Sequence, residues 1–198
     1  MTISHPLLTS LESLISSQKD QVRQKAWQQF YEKKLPSHKE EAFQYLRLKE
    51  LYSKTFSLPK NPSLEDLPIN TKEKRLVIVN GQYAPELSDI EGLDIVILPL
   101  SQTDTYSAFL TRQRSSLISL SQDPFALMNA ALYQGGLFIY VPPKVQVKEP
   151  LKIIEVISNE EQAFAASQVV VSLGQQSKLA LSTEVISEKK ESFNNSLY

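Results

Sequence analysis

A chain of 198 residues, 41% hydrophobic and 22% charged, can bury one core or two small ones, and it is too apolar for global disorder. Its formal charge of −1, with the signs interspersed, gives no strong draw toward nucleic acid or an anionic membrane. It has no cysteine, which excludes disulfides, thiol catalysis and cysteine-ligated metal or cluster from this chain alone. No apolar run approaches the ~20 residues of a membrane helix. The first residues, "MTISHPLLTSLESLISSQKD", lack the basic and continuous apolar regions of a secretory signal, so the expected location is the cytoplasm.

The N-terminal third reads as helices. Pro6 suits a first helical position with Ser4 as cap, and Leu7, Leu8, Leu11, Leu14 and Ile15 then form one apolar stripe. A second helix is predicted through "DQVRQKAWQQFYEKKL", capped by Asp20. Val22, Ala26 and Phe30 share one face, and Lys33 and Lys34 sit near the C-terminus, where the dipole favours cations. After Pro36, Ser37 and Glu40 have the spacing of a capping box, which predicts a third helix through "EEAFQYLRLKELY". That helix would bury some of Phe43, Leu46, Leu51 and Tyr52. "SLPKNPSLEDLPINTKEK", with three prolines, reads as an irregular connection.

Strand patterns follow. "RLVIVNGQY" is a β-branched run closed by Asn80-Gly81, a pair suited to the positive φ angles of a tight turn. "LDIVILP" is a second run, stopped by Pro99. Asp123 and Pro124 then start a short helix whose apolar side is Phe125, Leu127, Met128, Ala131 and Leu132. From Gly135 the texture changes to "LFIYV", "VQV", "LKIIEVI", "QVVVS" and "KLALSTEVI", separated by Pro142-Pro143, Glu149-Pro150, "SNEEQ" and "GQQS". Short strands at roughly even spacing suit a sandwich, a barrel or a solenoid, and their period does not choose among these.

Motifs for chemistry are absent from the sequence. His5 and His38 have no partner at zinc-ligand spacing, and the five glycines form neither a dinucleotide fingerprint nor a P-loop. No G-x-S-x-G occurs. Glu40-Glu41 and Glu160-Glu161 are adjacent acids, and neighbours on a helix do not face one another. The sequence therefore nominates no catalytic, cofactor-binding or metal-binding residue.

Three stretches resemble the SufB/SufD family of iron–sulfur cluster assembly scaffolds, the SufD branch more than SufB. "RQKAWQQFYEKKLPSHKEEAFQYLRLKEL" is similar to an R-x-x-A-[WF] helix followed by an acidic residue, an aromatic pair and a leucine. "RLVIVNGQY" resembles a strand ending in N-G-x-[FY]. "DPFALMNAALYQGGLFIYVPPKVQVKEPLKI" follows D-x-F-x-A-L-N-x-A through G-x-x-[IV]-x-[VI]-P to V-x-x-P-[LI]. Phe43 stands where the family has tryptophan, "KKLP" replaces a "GLP"-like turn, and Met128 interrupts A-L-N.

The resemblance implies an α+β chain. An N-terminal mainly helical domain with short strands, residues 1–122, leads into the first coils of a right-handed parallel β-helix, residues 123–198. Family members continue well beyond this length, so the resemblance implies a truncated β-helix. It also implies a scaffold subunit, not an enzyme by itself, of a SufB–SufC–SufD complex. ATP would be hydrolysed on the SufC-like partner, the iron–sulfur cluster would form between SufB- and SufD-like subunits, and reduced flavin would be held by the complex. The SufC docking region would lie beyond residue 198, and no family functional residue maps onto this chain. Two other readings are a stand-alone protein-interaction module and a carbohydrate-acting β-solenoid enzyme. The enzyme reading needs acids such as Glu155, Glu160, Glu161 and Glu184 grouped on one face.

Overall fold

The structure is a computed structural model. It describes residues 5–16, 20–59, 69, 72–102, 110, 112, 123–157, 162–187 and 191–198. The fold is mixed α+β, with four α-helices among the described residues and several sheets of mixed direction. Its contacts group into two compact units: Met1–Leu58 with Tyr106–Leu132, and Pro59–Thr105 with Tyr133–Tyr198. The helix from Pro124 thus groups with the N-terminal helices, and the strands between residues 75 and 99 group with the later strands. A single cut between residues 122 and 123 does not describe this grouping.

In the helical unit, α1 (Pro6–Ile15) buries Leu7, Leu11 and Ile15, the core of the expected stripe. Its N-cap is His5, which makes no side-chain cap bond. The expected cap, Ser4, lies outside the described residues. The next helix, α2 (Gln21–Lys33), starts as its sequence predicts, for the Asp20 carboxylate accepts from the backbone N–H of Val22 at 2.8 Å. Ala26 and Phe30 form its buried face, and Lys34 ends it with φ of 64°.

The predicted helix through "EEAFQYLRLKELY" is not continuous. A 3₁₀ turn, Glu41–Phe43, is followed by a short α3 (Leu48–Tyr52). Phe43 packs edge-on to Phe125, while Leu48 and Tyr52 are buried. On one helix of 3.6 residues per turn, Phe43 and Leu48 would point about 140° apart, so the chain must break to turn both inward. Only one arm of the expected capping box forms: Ser37 N–H donates to Glu40 Oε1 at 2.7 Å, while the Ser37 hydroxyl takes the N–H of Lys39 at 3.3 Å. Of the four residues expected to be buried there, Tyr52 is buried and Leu46 is exposed. The Tyr52 hydroxyl donates to Pro36 O at 2.7 Å. Burial and the nearby Glu40 charge push that hydroxyl's pKa well above the usual tyrosine range. The last helix, α4 (Pro124–Leu132), packs on α1 and α2, and Asp123 caps it by accepting from Phe125 N–H at 2.8 Å.

In the strand unit, β1 (Arg75–Val79) and β2 (Gln82–Tyr83) form the expected hairpin, and Asn80 and Gly81 take φ of 51° and 81°. β3 (Val96–Pro99) runs antiparallel to β4 (Gly135–Val141). The chain then makes two successive circuits. The first is β4, β5 (Leu151–Ile157) and β6 (Phe164–Ala165); the second is β7 (Ser167–Leu173), β8 (Leu181–Ser187) and β9 (Phe193–Asn194). Each strand of the second circuit lies parallel to its counterpart in the first, with Gly135 opposite Ser167, Leu151 opposite Leu181 and Phe164 opposite Phe193. β1 extends the β5–β8 sheet from its other side, also parallel. The connection "SLPKNPSLEDLPINTKEK" falls largely outside the described residues.

This stacking explains why "LKIIEVI" is apolar on both faces. Leu151 and Ile153 join Leu76, Ile78, Leu137, Ile139 and Val169 in one core, while Ile154 and Val156 join Val77, Val79 and Ala84 in another. Gly136, at φ of 137°, lies where β4 meets β7. A Cβ there would collide with Gln168 O, so only glycine permits the pairing.

Candidate functional site

β5 carries one acid at a core-facing position. Strand alternation sends Leu151, Ile153 and Glu155 to the same face, and Glu155 is 3% exposed. A buried carboxylate is costly unless its lone pairs are taken. Here four side chains supply donors. Oε1 accepts from Ser167 Oγ at 2.8 Å and from the Tyr198 hydroxyl at 2.7 Å. Oε2 accepts from Asn194 Nδ2 at 2.7 Å and from Ser196 Oγ at 2.5 Å.

The stacked circuits bring these donors together. Ser167, fully buried, opens β7 beside the end of the first circuit. Residues 194–198 arrive because β9 pairs with β6 and the chain then runs along the start of β7. There Leu197 N–H donates to Ser167 O at 3.0 Å, and Val169 N–H donates to Leu197 O at 2.9 Å. Tyr198 is 56% exposed as a residue, while its hydroxyl reaches inward to Glu155. Burial of the hydroxyl, then its bond to Glu155 and the charge there, raise its pKa.

A carboxylate offers about four lone-pair sites, and all of them are engaged here. Glu155 thus has no lone pair directed at a substrate proton or a cation. The chemistry of this site is cohesion: it ties β5 of the first circuit to the opening strand and final residues of the second.

The other acid of interest on the strands, Glu184, lies opposite Ile154 and so on the other face of the sheet from Glu155. It accepts from Lys152 at 2.9 Å, and this bond holds the Lys152 ammonium above its usual pKa. Lys152 is also 3.4 Å from Glu73. Glu155 and Glu184 therefore form no acid pair, which leaves a carbohydrate-cleaving site without its two carboxylates at these positions. Glu160 and Glu161 lie outside the described residues. The His5 ring lies 5.3 Å from the Tyr52 ring and tilted to it by 50°, and His38 is exposed. No group of His, Cys, Asp or Glu able to hold a metal ion occurs among the described residues.

The sequence reading passed over Ser167, Asn194, Ser196 and Tyr198. The available signal was Glu155 itself, the single acid inside an otherwise apolar strand.

Fold and site together define an α+β protein with a helical unit and a unit of stacked parallel circuits organised around a buried carboxylate. Residues 9–153 match the SufBD protein N-terminal region, and the chain belongs to the SufBD family. It is 28% identical over 133 residues to the iron-sulfur cluster assembly SufBD family protein ycf24 of Guillardia theta, a match covering 53% of this chain and 27% of that protein. It is 29% identical over 108 residues to the iron-sulfur cluster assembly protein SufB of Bacillus subtilis (strain 168), covering 50% of this chain and 23% of that one. The matches thus span about a quarter of the length of these relatives.

Proposed function

We propose that this protein acts in iron–sulfur cluster assembly as a SufD-like scaffold subunit, cytoplasmic and without catalytic activity of its own. The match of residues 9–153 to the SufBD N-terminal region carries the reading. Both relatives described above are iron–sulfur cluster assembly proteins by name. The SufD assignment rests on Arg23, Ala26 and Trp27 of the helix motif and on the acidic–aromatic stretch around Phe43 and Tyr45.

In this reading the two parallel circuits begin a right-handed parallel β-helix, and the helical residues form a separate module. Register supports this, since each strand of the second circuit continues the row of its counterpart in the first. The partners are SufB-like and SufC-like subunits. ATP belongs to the SufC-like partner, reduced flavin belongs to the assembled complex, and the cluster is cargo. This chain has no cysteine, so it offers that cargo no thiolate ligand.

The test is affinity purification of the tagged protein from its host, together with assays of cluster-dependent enzymes after gene deletion. For the gene's full-length product, the expected result is co-purification of SufB-like and SufC-like subunits and lowered cluster-dependent activities. Residues 1–198 alone are expected to retain no SufC-like subunit. Unchanged cluster-dependent activities, with neither subunit recovered, overturn the proposal.

A further inference from the structure

The stretch Glu41–Lys49 places two large apolar side chains in solvent beside two cations, Arg47 and Lys49. Tyr45 is 90% exposed and Leu46 is 53% exposed, although their neighbours Phe43 and Leu48 point inward. The segment is held in this shape. Phe43 N–H donates to Glu40 O at 2.9 Å, Leu46 N–H donates to Phe43 O at 3.1 Å, and Tyr52 anchors Pro36 behind it. Leu46 opens onto a cavity of about 340 Å³, lined also by His38, Arg47, Leu48, Lys49 and Glu50.

The charged residues lining this cavity are two cations, Arg47 and Lys49, and one acid, Glu50. Glu50 turns to Lys54 at 3.4 Å, and Glu40 is taken by Ser37 N–H. The side chains of Arg47 and Lys49 make no hydrogen bond or ion pair among the described residues. An exposed aromatic and an exposed leucine next to two cations that are unpaired among the described residues suit an occupant that brings apolar side chains and carboxylates together. A bare anion would leave Tyr45 and Leu46 unused. A nucleic acid would need a broader basic surface than two cations in a chain of net charge −1.

We propose that Tyr45, Leu46, Arg47 and Lys49 form a docking surface for a partner polypeptide segment in which acidic residues flank a leucine or an aromatic. This inference stands on the helical unit alone and does not depend on the assembly role.

The test is fluorescence anisotropy of labelled short peptides titrated with the 198-residue chain. One peptide has Asp and Glu flanking Leu-Phe, a second has Lys in place of each acid, and a third has Ala in place of Leu-Phe. The acidic–apolar peptide is expected to bind at least about tenfold more tightly than either control, with affinity falling as salt rises. Tyr45→Ala and the pair R47E/K49E are each expected to weaken it by about tenfold or more, and the charge-reversed pair to prefer the lysine peptide. All three side chains are exposed, so unchanged thermal unfolding of the variants separates lost binding from lost folding. Failure of the acidic–apolar peptide to bind at millimolar chain overturns the proposal. So does equal binding of the apolar-free acidic peptide, displacement by inorganic phosphate, or tighter binding of a single-stranded oligonucleotide.

Discussion

Removing the Glu155 carboxyl would leave four side-chain donors around an empty core position. Glu155→Ala is expected to destabilise the strand unit by about 3 kcal/mol or more, since unsatisfied buried polar groups add to the cavity. Glu155→Gln keeps the shape but turns an amide NH₂ toward two donors, at an expected cost of about 1–3 kcal/mol. Urea unfolding of both variants checks the order, and equal midpoints would show that hydrogen bonding there is unimportant. Tyr198 adds a pH signature. Its folded pKa is raised above the unfolded value of about 10, so the folded state holds this proton more tightly. That stability is fully present below pH 10 and is lost as pH rises from there through the folded value. Tyr52 and Tyr83 shift in the same direction. Tyr198→Phe is therefore expected to flatten the decline in unfolding midpoint above pH 10 without abolishing it, as measured by denaturation across alkaline buffers.

At the scale of elements, the sequence was legible where local chemistry decides the outcome. Asp20 and Asp123 cap α2 and α4, Asn80-Gly81 turns the β1–β2 hairpin, and "LKIIEVI" is β5 residue for residue. It was illegible where packing overrides a local signal. The capping-box residues after Pro36 promise one helix, yet Phe43 and Leu48 must both face inward and the helix breaks. β6 and β9, two residues each, are too short to show any period. The Glu155 site was hidden for a related reason: Ser, Asn and Tyr are ordinary surface residues until stacking register brings residues 194–198 beside β5. That register depends on the close approach of β4 and β7 at Gly136. Gly136→Ala is expected to cost about 2 kcal/mol or more, through the positive φ and the collision with Gln168 O. Gly92→Ala is the control, for it also has positive φ but meets nothing within 4 Å. Thermal unfolding should fall further for Gly136→Ala than for Gly92→Ala, and equal shifts would show that strand contact adds nothing.

Across the whole strand unit, the second circuit repeats the first but is covered unequally. Val169, beneath Leu197, is buried, whereas Val171 and Leu173 further along β7 are 38% and 54% exposed. Leu181 and Val185 of β8 lie opposite buried Leu151 and Glu155 and are themselves 39% and 52% exposed. The inward row thus continues onto the second circuit as exposed apolar residues, and the outer edge of β8 pairs with no strand among the described residues. Such an edge templates further β-pairing. The 198-residue chain is therefore expected to self-associate as its concentration rises. Leu173→Lys with Leu181→Lys sets charge on this row away from Glu155, which Val185 directly opposes. Each site contributes about 1.5–3 kcal/mol when fully buried, so the double variant is expected to weaken association by at least about tenfold. Sedimentation velocity over a concentration series measures this. Association unchanged by the double variant would place the contact elsewhere, and a chain monomeric at every concentration would show that the edge is blunted in solution.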